Sequence, residues 1–526
     1  MLDSNGSIEI NYICVMIIVF RTDSSYIIGA GHVMRCLTLA ETFYHKGATV
    51  VFICRETDGN LNDLILERGF TVKHFPASSV EHHSETPLAR DDWKVDAEHT
   101  NAAIMAIGGK VDWLVVDHYA LGKNWECAVY ESVDRIMVID DLADREHECD
   151  LLLDQNLVPD MHIRYSVKVP VACNRLLGPE YSLLQPIYTE IRASIQPRGK
   201  KITNLFIFFG GADRANLAGR SIAAFLSLDR PDIHVDVVVS SNSQYVQAIE
   251  REVVQHKNIV LHKDLPTLAP LMAKADLAIG ACGATSWERL CLGLPTLVVT
   301  LAENQRPVAE ELNKRGLVYW LGHQEEVDES SIRDSLARLV KQGFDEVCSR
   351  RCLDTVEGNG TSKVCAAMTV NDATSLNVRY AQLEDELVLL EWANDLTTRQ
   401  NAFSQGQISM ATHNVWFNDH LCNTDGCHFY IVETQDGVAL GQVRFERHDQ
   451  SWEVHFSVSP IFRGRGLGRR ILEAALSKFR GIGVTCTVVF GQVKSGNRPS
   501  CRVFESMGFE ILSGVRDGVV MYQLEL

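Results

Sequence analysis

Met16-Ile17-Ile18-Val19-Phe20, then Ile28-Gly29-Ala30-Gly31-His32-Val33-Met34-Arg35-Cys36, is the stretch on which the fold turns. Five apolar residues in a row read as a buried strand, the two glycines as a tight turn, and the run through Leu39 and Phe43 as an amphipathic helix. The same grammar returns downstream, with strands expected at 49–53, 113–117 and 136–140 and helices at 61–67 and 126–133. Such alternation predicts a parallel sheet with helices on both faces. His32 stands where a helix opens after the first strand. The positive end of a helix disfavours an imidazolium, so this position suits a base, the alternative being a helix residue facing solvent.

A second series opens after the polar stretch Gln196-Pro197-Arg198-Gly199-Lys200-Lys201, with strands expected at 205–209, 235–240, 259–262, 277–280 and 296–301. Two Rossmann-like halves joined by a short linker predict a ligand cleft near the carboxyl ends of their strands, in a GT-B layout. Gly283, Ala284, Thr285 and Ser286 end one strand and open a helix, so their amides suit a diphosphate. Glu288, a turn further on, suits ribose hydroxyls, or is a surface carboxylate. Gly210 and Gly211 fit a second close approach to ligand. A boundary rich in Gly, Thr, Asn and Ser at 354–375 reads as a linker. Beyond it short strands (429–433, 439–444, 453–458, 485–490) surround a helix from Gly468, predicting an α+β domain. The expected domains are 16–195, 202–356 and 376–526, with the first fifteen residues dispensable.

Several blocks, in order over residues 16–356, resemble the UDP-2,4-diacetamido-2,4,6-trideoxy-β-L-altropyranose hydrolases of pseudaminic acid biosynthesis, relatives of the MurG glycosyltransferase: Arg21-Thr22-Asp23, the run from Gly29 to Cys36, Val116-Asp117-His118-Tyr119, Ile139-Asp140-Asp141-Leu142, Leu177-Gly178-Pro179-Glu180-Tyr181 and Glu303-Asn304-Gln305. The resemblance implies water attack at the anomeric carbon with inversion, UDP leaving and His32 as base. It also implies sugar or diphosphate contacts from Asn304 and Gln305, a ribose contact from Glu288, and Asp117 and Tyr119 facing the cleft beside Gly29, Gly31 and Arg35. Asp140 and Asp141 read as a strand end and turn cap. No metal is called for.

Val458-Ser459-Pro460-Ile461-Phe462-Arg463-Gly464-Arg465-Gly466-Leu467-Gly468 follows a strand and enters a helix. Arg463, Gly466 and Gly468 resemble the R-x-x-G-x-G pyrophosphate loop of GNAT acetyltransferases. Asn497, Ser500, Phe504, Gly508 and Phe509 are similar to that family's closing segment, and the likeness spans residues 378–526. It implies acetyl-coenzyme A as cosubstrate, held by the backbone from Gly464 through Arg465 and Leu467 to Gly468. Strand alternation puts Trp452, Val454, Phe456 and Val458 on one face and Glu453, His455 and Ser457 on the other. Glu453 or His455 is thus a candidate proton relay, or faces solvent. Phe504 has no proton to give, so Phe504→Tyr is expected to leave the acetylation rate unchanged or raise it, provided the hydroxyl finds room.

At 526 residues the chain exceeds one core, and 46% hydrophobic with 22% charged residues is ordinary for a globular enzyme. A net charge of −18 argues against nucleic acid. The 15 cysteines form no C-x-x-C pair and suit a reducing cytoplasm. The run 13–20 is too short to cross a bilayer. The expected ligands are a UDP-linked amino sugar, its acetylated product and acetyl-coenzyme A, with no nucleic acid or membrane. Two alternatives stand beside this: a MurG-like glycosyltransferase fused to an acetyltransferase, and a non-catalytic nucleotide-sugar-binding module fused to one.

Overall fold

The computed structural model describes residues 16–76, 92–211, 213–343, 346–483, 488–516 and 518–526. The first fifteen residues, and the first three of the strand expected at 485–490, lie outside them. The chain divides into two compact units, Met1–Cys365 and Ala366–Leu526.

The first unit holds two parallel sheets. One comprises β1 (Ile17–Thr22), β2 (Thr49–Glu56), β3 (Thr71–Pro76), β4 (Trp113–Asp117), β5 (Ile136–Ile139), β6 (Leu151–Asp154) and β7 (Asn174–Leu177), in the order β3-β2-β1-β4-β5-β6-β7. Every residue of β4, β5 and β6 is buried, as a sheet covered on both faces requires. The other comprises β8 (Asn204–Phe208), β9 (His234–Val239), β10 (Ile259–Lys263), β11 (Leu277–Ala281), β12 (Thr296–Thr300) and β13 (Tyr319–His323), in the order β10-β9-β8-β11-β12-β13. Alternate residues of these strands feed two cores: Leu205, Ile207, Val235, Val237 and Ile279 go to one face, and Phe206, Val238, Ala278 and Val298 to the other.

The stretches read as linkers are packed. Arg198 is buried, and its guanidinium donates to the carbonyls of Met272, Ala273, Ala275 and Leu292. It thereby caps the ends of the helices Ala269–Lys274 and Thr285–Cys291. Residues 354–375 include the helix Gly360–Thr369. Thr361 Oγ1 donates to Leu184 O at 2.8 Å, Lys363 pairs with Glu180, and a Cβ on Gly360 would stand 2.4 Å from Ser182 O. The composition is that of a linker because close backbone approach needs small residues.

The second unit is one mixed sheet, β14 (Leu376–Tyr380), β15 (Cys427–Thr434), β16 (Ala439–His448), β17 (Ser451–Val458), β18 (Val488–Lys494), β19 (Glu510–Arg516) and β20 (Val519–Glu525), in the order β14-β15-β16-β17-β18-β20-β19. The helix Leu467–Gly481 packs on one face, over Val443, Trp452 and Val454. Trp392 and Phe417, from helices Glu386–Asn394 and Met410–Cys422, cover Phe429 and Ile431 on the other.

Candidate functional site

His32 is the second residue of the helix Gly31–His45, just past β1, and Asp117 closes the adjacent β4. Strand order reverses between β1 and β4, which is where doubly wound sheets open a crevice for ligand. His32 Nδ1 donates to Asp117 Oδ1 at 2.5 Å, leaving Nε2 as the basic nitrogen. Arg35 lies three residues on, on the same helix face, and grips the same carboxylate through Nε (2.6 Å) and Nη2 (2.7 Å). Burial alone would raise the Asp117 carboxyl, but Arg35 and then His32 outweigh it and hold the group well below the usual range. Asp117 is fully buried, so it orients His32 and Arg35 rather than facing the cleft. Tyr119 stands edge-on to His32 with ring centroids 4.5 Å apart. Burial, then the Asp141 charge, pushes its phenol up, so it stays protonated. Gly29 takes φ +83° in the turn, and beside Gly31 the space where a Cβ would stand is open.

Other blocks of the resemblance build the scaffold. Arg21, Asp23, Arg55 and Asp96 close a buried ion-pair network that Trp125 Nε1 joins at 2.9 Å. Asp140 caps its turn through Ala143 N (2.9 Å) and accepts from Tyr165. Asp141 departs from the turn-cap expectation: its Oδ2 accepts from Arg35 Nη1 at 3.1 Å. His147 is enclosed between Glu126 (2.7 Å) and Asp140 (3.8 Å). Burial lowers it, but Asp140 and Glu126 outweigh that and lift it to about 9.

In the second sheet β8 and β11 are neighbours, so the loop with Gly210 and Gly211 stands beside that with Gly283, Ala284, Thr285 and Ser286. Gly210 takes φ +87°, and both it and Gly211 border open space. Gln305 accepts from Leu301 N at 2.8 Å, and its Nε2 lies 3.9 Å from where a Cβ of Gly283 would stand, while Asn304 is exposed. Glu288 is not a surface carboxylate. Its Oε2 is enclosed and accepts no well-aligned hydrogen bond from a described residue, and burial raises its carboxyl against the opposing pull of the neighbouring Tyr188 hydroxyl. Sequence reasoning missed Arg289, which is buried beneath the loop and donates to Ala281 O (2.6 Å) and Ser286 Oγ (3.1 Å). A Cβ on Gly280, one residue before the end of β11, would stand 2.5 Å from Phe208 O and 2.7 Å from Arg289 Nη1, which is why a glycine occupies that position. Arginine, one turn into a helix, carries no sequence signal for that.

In the second unit β17 pairs with β18 only from Ser451↔Val488 to Glu453↔Phe490, although both strands run on. Past that point the two strands are no longer paired, beside the glycine loop that follows β17, a feature the sequence does not show. Gly464 (φ +77°) and Gly466 (φ +75°) border open space, and Gly466 precedes Leu467 and Gly468 at the helix start. Arg463 is committed to protein: Nη1 pairs with Asp395 at 2.5 Å and Nη2 donates to Thr398 Oγ1 at 2.8 Å. Arg465 donates to Val370 O, and Asn497 caps its helix on Ser500 N. Phe504 is buried with its Cζ 2.6 Å from where a Cβ of Gly491 would stand, so the end of its ring is seated over the bare backbone of Gly491. Glu453 and His455 lie in a polar cluster with Arg444, Glu446 and His448. Burial, then Arg444, pushes His455 down to about 4, while burial raises Glu453. Among the described residues no group of acidic, His and Cys side chains is arranged to hold a metal, and no helix is long and apolar enough to cross a membrane.

These features define two doubly wound domains followed by a mixed-sheet domain with a glycine loop. Residues 390–509 match the acetyltransferase (GNAT) family model. An uncharacterized protein of Methanocaldococcus jannaschii is 21% identical over 97% of this chain and all of its own length. The UDP-2,4-diacetamido-2,4,6-trideoxy-beta-L-altropyranose hydrolase of Campylobacter jejuni is 27% identical over 57% of this chain and 97% of its own. The MurG structure from Acinetobacter baumannii is 14% identical over 67% of this chain and 99% of its own, with a TM-score of 0.47. The chain thus joins a segment similar to a UDP-sugar hydrolase to a GNAT domain.

Proposed function

We propose that the chain is a bifunctional nucleotide-sugar enzyme of the pseudaminic acid type: it acetylates the C4 amine of a UDP-linked amino sugar, then hydrolyses the anomeric bond with inversion to release UDP and 2,4-diacetamido-2,4,6-trideoxy-L-altrose. The observation that carries the hydrolytic half is the Asp117–His32 pair, which fixes one tautomer and points a basic Nε2 away from the carboxylate. His32 takes a proton from water as its oxygen bonds to the anomeric carbon and the bond to UDP breaks. Positive charge grows on the ring and negative charge on the departing diphosphate. The loop from Gly283 to Ser286, with Arg289 beneath it, receives that diphosphate, and the enclosed Glu288 oxygen takes a ribose hydroxyl.

For acetyl transfer, the unpaired stretch of β17 and β18 takes the extended arm of acetyl-coenzyme A, and the amides from Gly464 to Gly468 hold its pyrophosphate. Glu453 is the better proton acceptor of the two candidates, because His455 at about 4 binds a proton weakly. His448, 3.3 Å from Glu453, passes the proton outward. The test is UDP release from the diacetamido nucleotide without any acceptor: release by the wild type and none by His32→Ala supports the reading, while release only with an acceptor sugar marks a glycosyltransferase.

A further inference from the structure

Asp141 follows β5, one strand over from the β4 end that carries Asp117. Its main chain is fixed, with Arg164 Nη2 donating to Asp141 O at 3.3 Å and to Leu142 O at 3.1 Å. One side-chain oxygen, Oδ2, is taken by Arg35, the residue that also grips Asp117 under His32. The other, Oδ1, is enclosed and accepts no well-aligned hydrogen bond from a described residue, the Tyr119 phenol being the donor group of the protein that lies near this carboxylate. A buried acceptor left so is costly and calls for a donor. A turn-capping role leaves this oxygen unexplained; Asp140 does the capping.

We propose that Asp141 is a specificity residue of the hydrolytic site, its Oδ1 accepting a hydrogen bond from an N–H or O–H donor of the bound sugar. The inference rests on the nucleotide-sugar reading above and adds a residue to it. A carboxylate held by an arginine on one oxygen presents a pure acceptor on the other, and sites built this way reject ligands that lack the matching donor. The geometry also makes asparagine a harsh substitution. Arg35 demands an oxygen at the Oδ2 position, so the amide NH2 of Asp141→Asn must occupy the Oδ1 position and meet the sugar donor with another donor.

Calorimetry in the full-length His32→Ala background, where substrate persists, compares UDP with the UDP-linked diacetamido sugar. Asp141→Asn is expected to weaken the sugar nucleotide by roughly thirtyfold to a hundredfold and UDP itself by less than about twofold. With sugar analogues in which each amide N–H or hydroxyl is replaced in turn, one analogue should bind the aspartate and asparagine forms alike. Asp141→Ala, should asparagine impair folding, is read the same way, and the UDP affinity reports whether the site remains folded. Equal affinity of both forms for the intact sugar nucleotide, or the same loss for every analogue, overturns the proposal. Rapid hydrolysis by His32→Ala, by contrast, overturns the choice of base and leaves the Asp141 comparison to be read from initial binding.

Discussion

Asp117 serves two partners at once, and removing its charge separates orientation from binding. Asp117→Asn keeps the shape but loses one acceptor toward His32 and Arg35. The imidazole is then free to take the wrong tautomer, and UDP release is expected to fall at least about hundredfold with UDP affinity retained. Stability should drop by about 2–4 kcal/mol, because Arg35 stays buried with half its partner gone. An undiminished rate would show that His32 needs no orienting carboxylate. His147 supplies a second test. Its folded value of about 9 lies above the ordinary 6.5, so its stabilisation is complete below about pH 6.5 and is lost as pH rises through about 9. Urea unfolding should show the wild type losing on the order of 2 kcal/mol more between pH 6 and pH 10 than His147→Gln; parallel losses would contradict this. At this scale the placement of His32 and Glu288 in the first turns of helices that follow a strand was legible in the sequence, while Arg35 entered only with the resemblance. Asp117's partnership was not legible, since residues 85 apart meet only through the β1–β4 register.

Among the strands with buried apolar runs, β4 and β12 were readable to within a residue, whereas β2 runs three residues past its expected end and the fully buried, four-residue β6 was not expected at all. The edge strands β3, β13 and β14 escaped notice because nearly all their residues are only partly buried or exposed and their patterns are mixed. Where β17 and β18 cease to pair is a property of the two strands together, and no spacing within either strand encodes it. Phe504 lies beside that unpaired stretch, stacked on Tyr522 at 5.2 Å and edge-on to Phe456 at 5.6 Å. Its ring end is seated against Gly491, so Phe504→Tyr is now expected to lower stability by about 1–3 kcal/mol through overpacking, without raising the acetylation rate. A faster enzyme with an unchanged melting temperature would restore the view that only a hydroxyl is missing.

The boundary between the units falls within residues 354–375, between Cys365 and Ala366, rather than at either end of that stretch. Ending a fragment at Val356 deletes Thr361 and Lys363, which bind Leu184 and Glu180 in the first unit. Beginning the other at Ser375 deletes Ala366 and Val370 from the core of the second. Fragments 1–356 and 375–526 are therefore expected to melt at lower temperature than 1–370 and 366–526, each measured by circular dichroism; indistinguishable melting of the two sets would return 354–375 to the status of a linker.

The measurement that bears most directly on the whole account is time-resolved mass spectrometry of the full chain given acetyl-coenzyme A and the UDP-linked 4-amino sugar. The wild type should form the N-acetylated nucleotide first, then free diacetamido sugar and UDP. His32→Ala should stop at the acetylated nucleotide, and Gly466→Glu, which sets a carboxylate in the open space of the coenzyme loop, should leave the amine untouched yet hydrolyse pre-acetylated nucleotide. Loss of both steps in either variant, or UDP release that His32→Ala does not slow, would contradict the account of two separate sites with His32 as the hydrolytic base.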